Sequence, residues 1–267
     1  MTLVFLFILG LFIGSFLNML IDRLPREEQI VKGRSKCDHC HHVLAWFDLI
    51  PVMSWVLLSG RCRYCKKPID VRNTVVELIT GTLFVVTAVS LVPRIVNNVS
   101  GMDLAQLVLS VTIVSCLVVI FFIDLKHNVI HQVLIGIIGL AAIGRWFVLP
   151  FSLSYTNYIF SAMFASLFFV CLVYGSRYIL KKEGMGFGDV QLAFVMGLLL
   201  GSPGIIVALY IAFLTGAFLS VILILSKRKR FGQTVPFGPF LVVGTLIVLF
   251  KLVPQGIEQF IVPYYYF

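Results

Sequence analysis

The stretch GDVQLAFVMGLLLGSPGIIVALYIAFLTGAFLSVILIL, residues 188–225, has one charged residue, Asp189, followed by 36 residues without a charge. A helix that crosses a bilayer needs about 17–25 apolar residues, so this run is too long for a single helix. The sequence GSPG at 201–204 interrupts the run with residues typical of a tight turn. We therefore predict two membrane helices, of which the first begins beside a carboxylate.

The whole chain has the composition of an integral membrane protein. Of its 267 residues, 60% are hydrophobic and 12% are charged, and the mean hydropathy is +1.02. An ordinary soluble domain is about one-quarter charged. Six further apolar runs are long enough to cross a bilayer: 2–21, 75–93, 104–123, 129–149, 158–180 and 236–253. The sequence therefore predicts an all-α, polytopic membrane protein with about eight transmembrane helices.

The positions of lysine and arginine predict how the chain is oriented in the membrane. If the N-terminus is outside, 18 of the 21 basic residues fall in segments on the cytoplasmic side, as the positive-inside rule requires. We therefore expect both termini outside and a cytoplasmic loop at 22–74. This loop would separate a first span at 1–21 from a membrane-embedded core at 75–267. Its apolar segment 43–59 is interrupted by charge and proline, and we expect it to lie at the membrane interface.

Four cysteines of the loop form two Cys-x-x-Cys pairs, KCDHC at 36–40 and RCRYC at 61–65. Two such pairs suit a tetrahedral site in which four thiolates hold one structural Zn²⁺. The predicted ligands are Cys37, Cys40, Cys62 and Cys65. The alternatives are a redox dithiol pair or a disulfide, but a cytoplasmic position argues against a stable disulfide. Three histidines are spare ligand candidates, unless they are simply exposed loop residues: His39, His41 and His42.

Three of the twelve acidic residues lie at or inside predicted spans: Glu77, Asp124 and Asp189. A carboxylate at membrane depth is costly and is a candidate functional group by default. Both aspartates are expected on the cytoplasmic side. A helix from Asp189 to the turn at 201 rises only about 18 Å, whereas the hydrocarbon core is about 30 Å thick. Asp189 would then lie below the cytoplasmic surface. The alternative is an aspartate that only caps its helix after a flexible loop.

Two carboxylates that face each other in a partly dry site do not readily ionise together. One keeps its proton and serves as an acid, while the other activates water as a base. This arrangement hydrolyses a peptide bond without a covalent intermediate. The chain has no GxSxG elbow and no HExxH helix, which rival mechanisms would need. The glycines of GMGFGDV, including Gly186 and Gly188, would let an active-site loop carry Asp189 inward and shift with a substrate.

Six motifs together resemble the type IV prepilin peptidases, which are membrane aspartyl proteases of the GxGD type. They are GSFLNMLIDRLP (14–25), the double Cys-x-x-Cys loop, VVELITG (75–81), FFIDLKH (121–127), GMGFGDVQL (184–192) and PFGPFLVVG (236–244). The resemblance runs nearly end to end and places the two catalytic aspartates of the family on Asp124 and Asp189. One departure is the pair His131-Gln132, where the family commonly has Pro-Asp.

The resemblance implies an enzyme of the bacterial inner membrane that cleaves the basic leader of prepilins or pseudopilins at the cytoplasmic face. Many such enzymes then methylate the new N-terminus, which implies S-adenosylmethionine as a cofactor besides zinc. Glu77 could contact the substrate N-terminus or the methyl donor, or it could instead anchor a helix start near Arg72. The expected partners are these substrates and the lipid bilayer, without nucleic acid.

Two other classes of function are consistent with parts of the sequence. A membrane redox protein could use the cysteine pairs, but they would need to lie on an oxidising face. An ion- or proton-coupled transporter could use Asp124 and Asp189 as ion sites within broken helices. An inverted repeat would favour the transporter, and we find none in the sequence.

Overall fold

The computed structural model describes residues 2–29, 35–37, 39–91, 100–148, 154–180, 186–226 and 235–252. In these residues the secondary structure is helical, without strands, apart from two isolated β-bridges. The α-helices are α1 (Thr2–Arg23), α2 (Met53–Leu57), α3 (Val71–Leu91), α4 (Gly101–His127), α5 (Gln132–Val148), α6 (Tyr155–Leu180), α7 (Phe187–Leu200), α8 (Gly204–Leu225) and α9 (Gly238–Leu249). The all-α fold class is confirmed.

A helix occupies each of the eight predicted spans. Five of them, α1, α3, α4, α6 and α8, are long and apolar enough to cross a membrane, and the apolar helices α5, α7 and α9 are shorter. The predicted turn at GSPG is confirmed, because α7 ends at Leu200 and α8 begins at Gly204. Gly201 has a φ of +62°, a left-handed conformation that glycine adopts without strain.

The apolar loop segment 43–59 folds into two short pieces and not into one amphipathic helix. A 3₁₀-helix covers Trp46–Leu49 and the five-residue α2 follows it. Several apolar side chains of these pieces are exposed, most of all Trp46 at 76% and Leu57 at 75%. Their position at the membrane interface stays a prediction.

The chain divides into two compact units, Met1–Asp103 and Leu104–Phe267. In the first unit, α1 packs against α3 through small residues. A Cβ atom added at Gly10 would lie 2.7 Å from Gly81 Cα, and one added at Gly14 would lie 2.7 Å from Glu77 Cα. Such close approach of two backbones is typical of membrane helices, where small side chains allow van der Waals contact along the helix. The division into 1–21, 22–74 and 75–267 stays a prediction.

In the second unit, α7 packs against α5, α6 and α9, and α8 packs against α9. These helices also approach one another closely at small residues. Gly197 of α7 contacts the backbone of Ala162 in α6, and Gly244 of α9 contacts the backbone of Ala208 in α8. The helix α7 is buried along most of its length, including Leu192 and Met196 at 1% exposure each. A short helix that is apolar all round is therefore placed inside the bundle.

Candidate active site and metal site

Asp124 lies in the last turn of α4 and is buried, with 5% of its surface exposed. The helix continues past the predicted end of this span to His127, and Asn128 closes it by donating its N–H to the Asp124 carbonyl at 2.9 Å. The carboxylate atom Oδ2 is buried and has no hydrogen-bond partner among the described residues. A buried carboxylate oxygen without a hydrogen bond is unfavourable unless it is protonated or accepts a hydrogen bond from a substrate.

Asp189 lies in the first turn of α7 and is 8% exposed. Gly186 is the N-cap of this helix, and its carbonyl accepts the Asp189 N–H at 3.2 Å. The Asp189 carboxylate in turn accepts a hydrogen bond from the backbone of Gly186 and lies close enough to Asp124 for a direct Coulombic interaction. Asp189 therefore lies at the start of its helix and near the other carboxylate. Its catalytic role, and the alternative that it only caps the helix, stay predictions.

Two glycines and one isoleucine pack close to the two aspartates. A Cβ atom added at Gly238, the first residue of α9, would lie 2.6 Å from Asp124 Oδ2 and 3.3 Å from Ile130 Cδ1. One added at Gly188 would lie 2.9 Å from Ile130 Cβ. Ile130 therefore packs between the starts of α7 and α9. The geometry brings these elements together at the carboxylates because neither glycine carries a side chain.

Gly186 differs from the other two glycines. Its φ of −78° and ψ of 153° are open to any residue, and an added Cβ would meet Asp189 Oδ2 only at 3.9 Å. The conformation described here therefore does not itself require glycine at this position. Residues 184 and 185 of the same motif, and the basic cluster at 227–230, lie outside the described residues.

The four predicted cysteine ligands lie together in the first unit. The sulfur atoms of Cys37, Cys40, Cys62 and Cys65 are all within 4.8 Å of one another. The sulfurs of Cys37 and Cys65 are 3.8 Å apart. Zn–S bonds of about 2.3 Å in a tetrahedron separate the sulfurs by about 3.8 Å. This donor set therefore fits a structural Zn²⁺.

The two cysteine pairs have nearly the same local backbone. The N–H of Cys37 donates to the His42 carbonyl at 3.0 Å, and the N–H of Cys62 donates to the Lys67 carbonyl at 2.8 Å. The residues four positions after these cysteines, His41 and Lys66, both have positive φ values, 55° and 59°. Burial alone would raise the pKa of Cys37, but backbone and thiol hydrogen bonds lower it to about 7. For Cys65, the backbone hydrogen bond of Lys67 acts to lower the pKa, but burial and hydrogen bonds with the other three thiols raise it to about 11.

Asp48 joins the Trp46–Leu49 helix to the second cysteine pair. Its side chain is only 4% exposed, and its Oδ1 accepts a hydrogen bond from Arg63 Nε at 2.8 Å. The Ala45 N–H and the Tyr64 hydroxyl donate to Oδ2, each at 3.2 Å. Burial acts to raise the pKa of Asp48, but these hydrogen bonds outweigh it and hold the pKa below its usual value.

Glu77 belongs to the first unit, in α3, and is 8% exposed. Its Oε2 accepts the N–H of Val52 at 2.8 Å, and the Ser15 side chain also hydrogen-bonds to it. Arg72, near which Glu77 was alternatively expected to anchor the helix start, pairs with Asp22 at 2.7 Å and with Asp70 at 3.9 Å. The role of Glu77 stays a prediction. Among the histidines, His42 stacks on Tyr64 with ring centroids 3.7 Å apart.

Two family models match the chain in sequence order. The Bacterial Peptidase A24 N-terminal domain matches residues 8–91, and the Type IV leader peptidase family matches residues 111–221. A relative in Aeromonas hydrophila, "Prepilin leader peptidase/N-methyltransferase", is 34% identical over 93% of this chain and 89% of its own length. The chain belongs to the type IV leader peptidase family.

Other members of the type IV leader peptidase family are similar over most of this chain. A protein of the same name in Myxococcus xanthus is 35% identical over 86% of this chain and 66% of its own length. The Escherichia coli O78:H11 protein "Type 4 prepilin-like proteins leader peptide-processing enzyme" is 30% identical over 90% of this chain and 91% of its own length. No solved structure matches the chain. None of these findings supports the transporter alternative.

The sequence interpretation missed two features of this family member. It quoted PFGPFLVVG only as a motif, whereas Gly238 of that motif lies against the Asp124 carboxylate. A Gly-Pro pair at the start of an apolar helix was the available signal. The partners of Asp48, which is held by three hydrogen bonds, were not predicted either. No local pattern indicates that contact, because Arg63 lies 15 residues away in the chain.

Proposed function

We propose that this chain is a membrane aspartyl endopeptidase that removes the basic leader of type IV prepilins or pseudopilins, with Asp124 and Asp189 as its catalytic pair. The observation that carries the proposal is the burial of both carboxyl groups within Coulombic range of each other. Membership of the leader peptidase family supports the substrate class. An ion pair with a basic side chain would argue for a structural role, and the ion pairs of the described residues involve neither aspartate.

The chemistry follows from the pair sharing one proton. The ionised carboxylate takes a proton from a water molecule, whose oxygen attacks the carbonyl carbon of the scissile peptide bond. The protonated carboxyl donates its proton to the carbonyl oxygen and so stabilises the tetrahedral intermediate. When that intermediate collapses, the C–N bond breaks and the leaving nitrogen receives a proton from the pair. The two aspartates can exchange these roles between the steps.

The glycines next to the pair would make room for the substrate. Gly188 and Gly238 let α7 and α9 approach the carboxylates closely. Gly186, at the start of α7, would allow the active-site loop to shift when the substrate enters. A peptide must be extended to be cleaved, so this movement would help a helical segment to unwind at its scissile bond.

The second activity that we propose is methylation of the new N-terminus, with S-adenosylmethionine as the methyl donor. The names of the relatives in Aeromonas and Myxococcus support it. Cys37, Cys40, Cys62 and Cys65 would hold one Zn²⁺ that stabilises the loop. Glu77, buried in the first unit with the same loop, is our candidate contact for the donor or for the substrate N-terminus.

We place the enzyme in the bacterial inner membrane, with both termini outside and the peptidase site at the cytoplasmic side. The multi-pass character of the chain supports a membrane location, and the excess of basic residues in alternate segments supports the orientation. The partners are then prepilin or pseudopilin substrates and the lipid bilayer. No feature of the proposed sites requires nucleic acid.

The decisive experiment measures leader cleavage by the full-length protein in membranes that also contain a prepilin. Asp124→Asn and Asp189→Asn should each lower the cleavage rate by at least about 10²–10⁴-fold, because each removes an acid or base. The double variant should be little slower than either single variant, since the two groups act on one water molecule. Each variant should stay folded, because an amide is cheaper to bury than a charge.

A matched control is Asp103→Asn, which changes an acidic residue at the other end of α4. The Ser100 hydroxyl, at the helix start, donates to Asp103 Oδ2 at 2.7 Å, and asparagine keeps a side-chain oxygen that can accept this bond. This variant should cleave at close to the wild-type rate. A well-folded Asp124→Asn or Asp189→Asn protein that still cleaves at a near-normal rate would refute the aspartyl mechanism.

A further inference from the structure

One side of the cysteine loop exposes a group of large apolar side chains. Met53, Val56 and Leu57 of α2 are each more than half exposed, and their spacing of three and four residues places them on one side of the helix. Trp46, also more than half exposed, belongs to the 3₁₀-helix that packs against α2. We call these four residues the apolar loop face. Exposed apolar groups of this kind mark surfaces that contact a partner or a membrane.

The opposite side of α2 is packed against the loop itself. Ser54, Trp55 and Leu58 are each half-buried, and the Trp55 ring lies against Gly60, where an added Cβ would be 3.0 Å from it. The short helix therefore has one packed side and one open side. The apolar loop face does not complete the packing of the loop, so its apolar character requires a different partner.

The ion pair between Asp22 and Arg72 marks the polar ends of α1 and α3. The Asp22 Oδ1 and Arg72 Nη2 atoms are 2.7 Å apart, and both helices are long and apolar enough to cross a membrane. Glu77 follows Arg72 by about five residues, so its Cα lies about 7.5 Å farther along α3. Gly14, which packs against Glu77, lies about 12 Å from Asp22 along α1. Both helices therefore place Glu77 on the membrane side of the ion pair.

Val52, the residue before α2, is bound to this part of α3. Its N–H donates to Glu77 Oε2 at 2.8 Å. The Cα–Cβ bonds of a helix tilt towards its N-terminus, so the carboxylate reaches back towards the ion pair and Val52 lies at or just below that level. Val52 has a φ of 61°, which is strained for a β-branched residue and persists only where the surrounding contacts fix it. The start of α2 is therefore held where interfacial segments bury their apolar side chains, about 5–10 Å into the headgroup–acyl boundary.

The lipid bilayer is the partner that this geometry favours. The loop is joined at both ends to membrane helices, to α1 at Arg23 and to α3 at Val71, so the bilayer is always within its reach. Next to Glu77, α3 exposes the apolar side chain of Leu78, as a helix in contact with lipid would. Tryptophan, the largest residue of the apolar loop face, is enriched at membrane interfaces because its ring is apolar and its N–H is polar.

We propose that the apolar loop face inserts into the bilayer at the headgroup–acyl boundary, beside the ends of α1 and α3. Met53, Val56 and Leu57 then lie among the upper acyl chains, and Trp46 lies at the level of the headgroups and the first carbons. Insertion holds the cysteine loop against the membrane surface at a fixed height. The proposal does not depend on the peptidase chemistry of the second unit.

Burial of apolar surface drives this insertion, and attraction to anionic lipids does not. Basic residues follow the face in the sequence, namely Arg61, Arg63, Lys66 and Lys67. Arg63 is already paired with Asp48 at 2.8 Å. Four thiolates around the proposed Zn²⁺ would also add a net charge of about −2 beside these residues. We therefore expect the same insertion in zwitterionic and in anionic bilayers.

The test measures the position of Trp46 in the full-length protein in lipid nanodiscs. The chain has three tryptophans, Trp46, Trp55 and Trp146, so Trp55→Phe combined with Trp146→Phe leaves Trp46 as the only one that emits. Its fluorescence is compared in lipids with bromine near the headgroup end or near the methyl end of the acyl chain. The first lipid should remove about half of the emission or more and the second clearly less, because the ring lies in the interfacial layer. Acrylamide in the water should quench Trp46 much less than it quenches the same protein unfolded in guanidinium.

Matched variants test the cause of this quenching. Val56→Asp places a charge on the apolar loop face and should lower the quenching of Trp46 by bromine about twofold or more, because a carboxylate is costly to bury in lipid. Lys66→Gln changes a charge outside the face and should leave the quenching as it is in both kinds of lipid. A second protein that keeps only Trp55, with Trp46→Phe and Trp146→Phe, should emit alike with and without Val56→Asp, which shows that the loop remains folded.

Each other result for Trp46 in otherwise wild-type loop sequence would overturn the proposal. Strong quenching by acrylamide without quenching by bromine would mean that the apolar loop face lies in water. Protection from both quenchers would mean that protein covers it. Stronger quenching by the deep bromine than by the shallow one would mean that the segment passes beyond the interface. Quenching by bromine in anionic lipid alone would mean that charge, and not apolar burial, drives the contact.

Discussion

The cysteine cluster and the aspartate pair are built in opposite ways. Each cysteine pair is closed by hydrogen bonds between residues four or five positions apart, such as Cys62 N–H to the Lys67 carbonyl at 2.8 Å. Asp124 and Asp189 come from different helices, and both are buried, at 5% and 8% exposure. The cluster is therefore a local structure that needs only a short segment, whereas the pair needs a folded helix bundle.

The difference shows what stabilises each region. The loop has little apolar core, since Cys62 and Pro51 are the buried residues between 39 and 70 apart from Gly60. The proposed structural Zn²⁺ would replace the core that such a short segment lacks. In the second unit, by contrast, the helices that carry Asp189 and Gly238 pack closely on neighbouring helices through Gly197 and Gly244.

Removing zinc should therefore affect the two regions very differently, and this is the largest effect that we expect. Structural zinc sites contribute about 10–16 kcal/mol of apparent binding energy. The purified protein should contain one zinc per chain. After chelation, amide hydrogen exchange should become fast throughout residues 35–70, while peptides from α4 and α7 should keep their protection.

The control for the zinc experiment is replacement of a cysteine outside the cluster. Cys116→Ala changes a buried residue of α4 and should leave the zinc content unchanged, whereas Cys62→Ser should lower it. A protein with intact thiols but no zinc would contradict the predicted metal site. Equal loss of protection in both units after chelation would contradict the view that they are stabilised separately.

Adding one methyl group beside the aspartates should have the next largest effect. Gly238→Ala puts a Cβ 2.6 Å from Asp124 Oδ2, so the carboxylate must move. A displacement of about 1 Å from reactive geometry can lower a rate by about 10²-fold. We expect cleavage to fall at least about tenfold, with little change in the unfolding temperature, because the end of an aspartate side chain can shift at low cost.

Alanine substitutions at the neighbouring glycines should lower the cleavage rate by different amounts, according to how closely the added Cβ approaches its neighbours. The Cβ of Gly188→Ala would lie 2.9 Å from Ile130 Cβ and not against a carboxylate, so we expect a smaller loss of cleavage. The Cβ of Gly186→Ala would make only an ordinary 3.9 Å contact, so we expect the smallest loss of the three. The matched control is Gly139→Ala in α5. Its added Cβ would lie 3.9 Å from Val195 Cγ2, so this variant should cleave normally. If Gly186→Ala impairs cleavage as much as Gly238→Ala, the loop must move during the reaction, beyond what close packing alone requires.

Features that depend on local sequence, such as the cysteine pairs, could be predicted from the sequence. The four candidate zinc ligands could be named because each Cys-x-x-Cys pair is a local motif, and two such pairs together supply the four ligands of a structural zinc site. The helix pair around GSPG could be predicted because a polar turn must separate two apolar helices. Asp124 and Asp189 became candidates because a carboxylate inside an apolar span is energetically costly to bury, which makes it a candidate functional group.

Contacts between distant segments could not be predicted in this way. Gly238 follows Asp124 by more than one hundred residues, and only packing of the helices places it at the carboxylate. The ends of the helices were also uncertain, because α4 extends past the predicted 123 to His127. The hydrogen bond from Val52 to Glu77 likewise depends on how the loop folds back on α3, which no periodic pattern encodes.

The smallest effect that we expect concerns Asp48, which joins the short helix at Trp46–Leu49 to the second cysteine pair. Asp48→Asn keeps the shape of the side chain but removes the charge that Arg63 and Tyr64 stabilise. Because Arg63 is 46% exposed, we expect a modest loss of about 1 kcal/mol in local stability. Amide exchange of loop peptides should therefore be about fivefold faster. Asp70→Asn, with a side chain that is 63% exposed, is the matched control and should change exchange little.

The pH dependence of this difference tests the cause. The folded pKa of Asp48 lies below its usual value of 3.8, so the folded state favours the ionised form. The stabilisation is then fully present above the unfolded pKa and is lost only as the pH falls through the folded pKa. Between pH 6 and pH 8 the ratio of exchange rates for Asp48→Asn and wild type should be constant. A ratio that falls towards one between pH 7 and pH 5 would mean that burial, and not Arg63, determines the ionisation of this carboxyl.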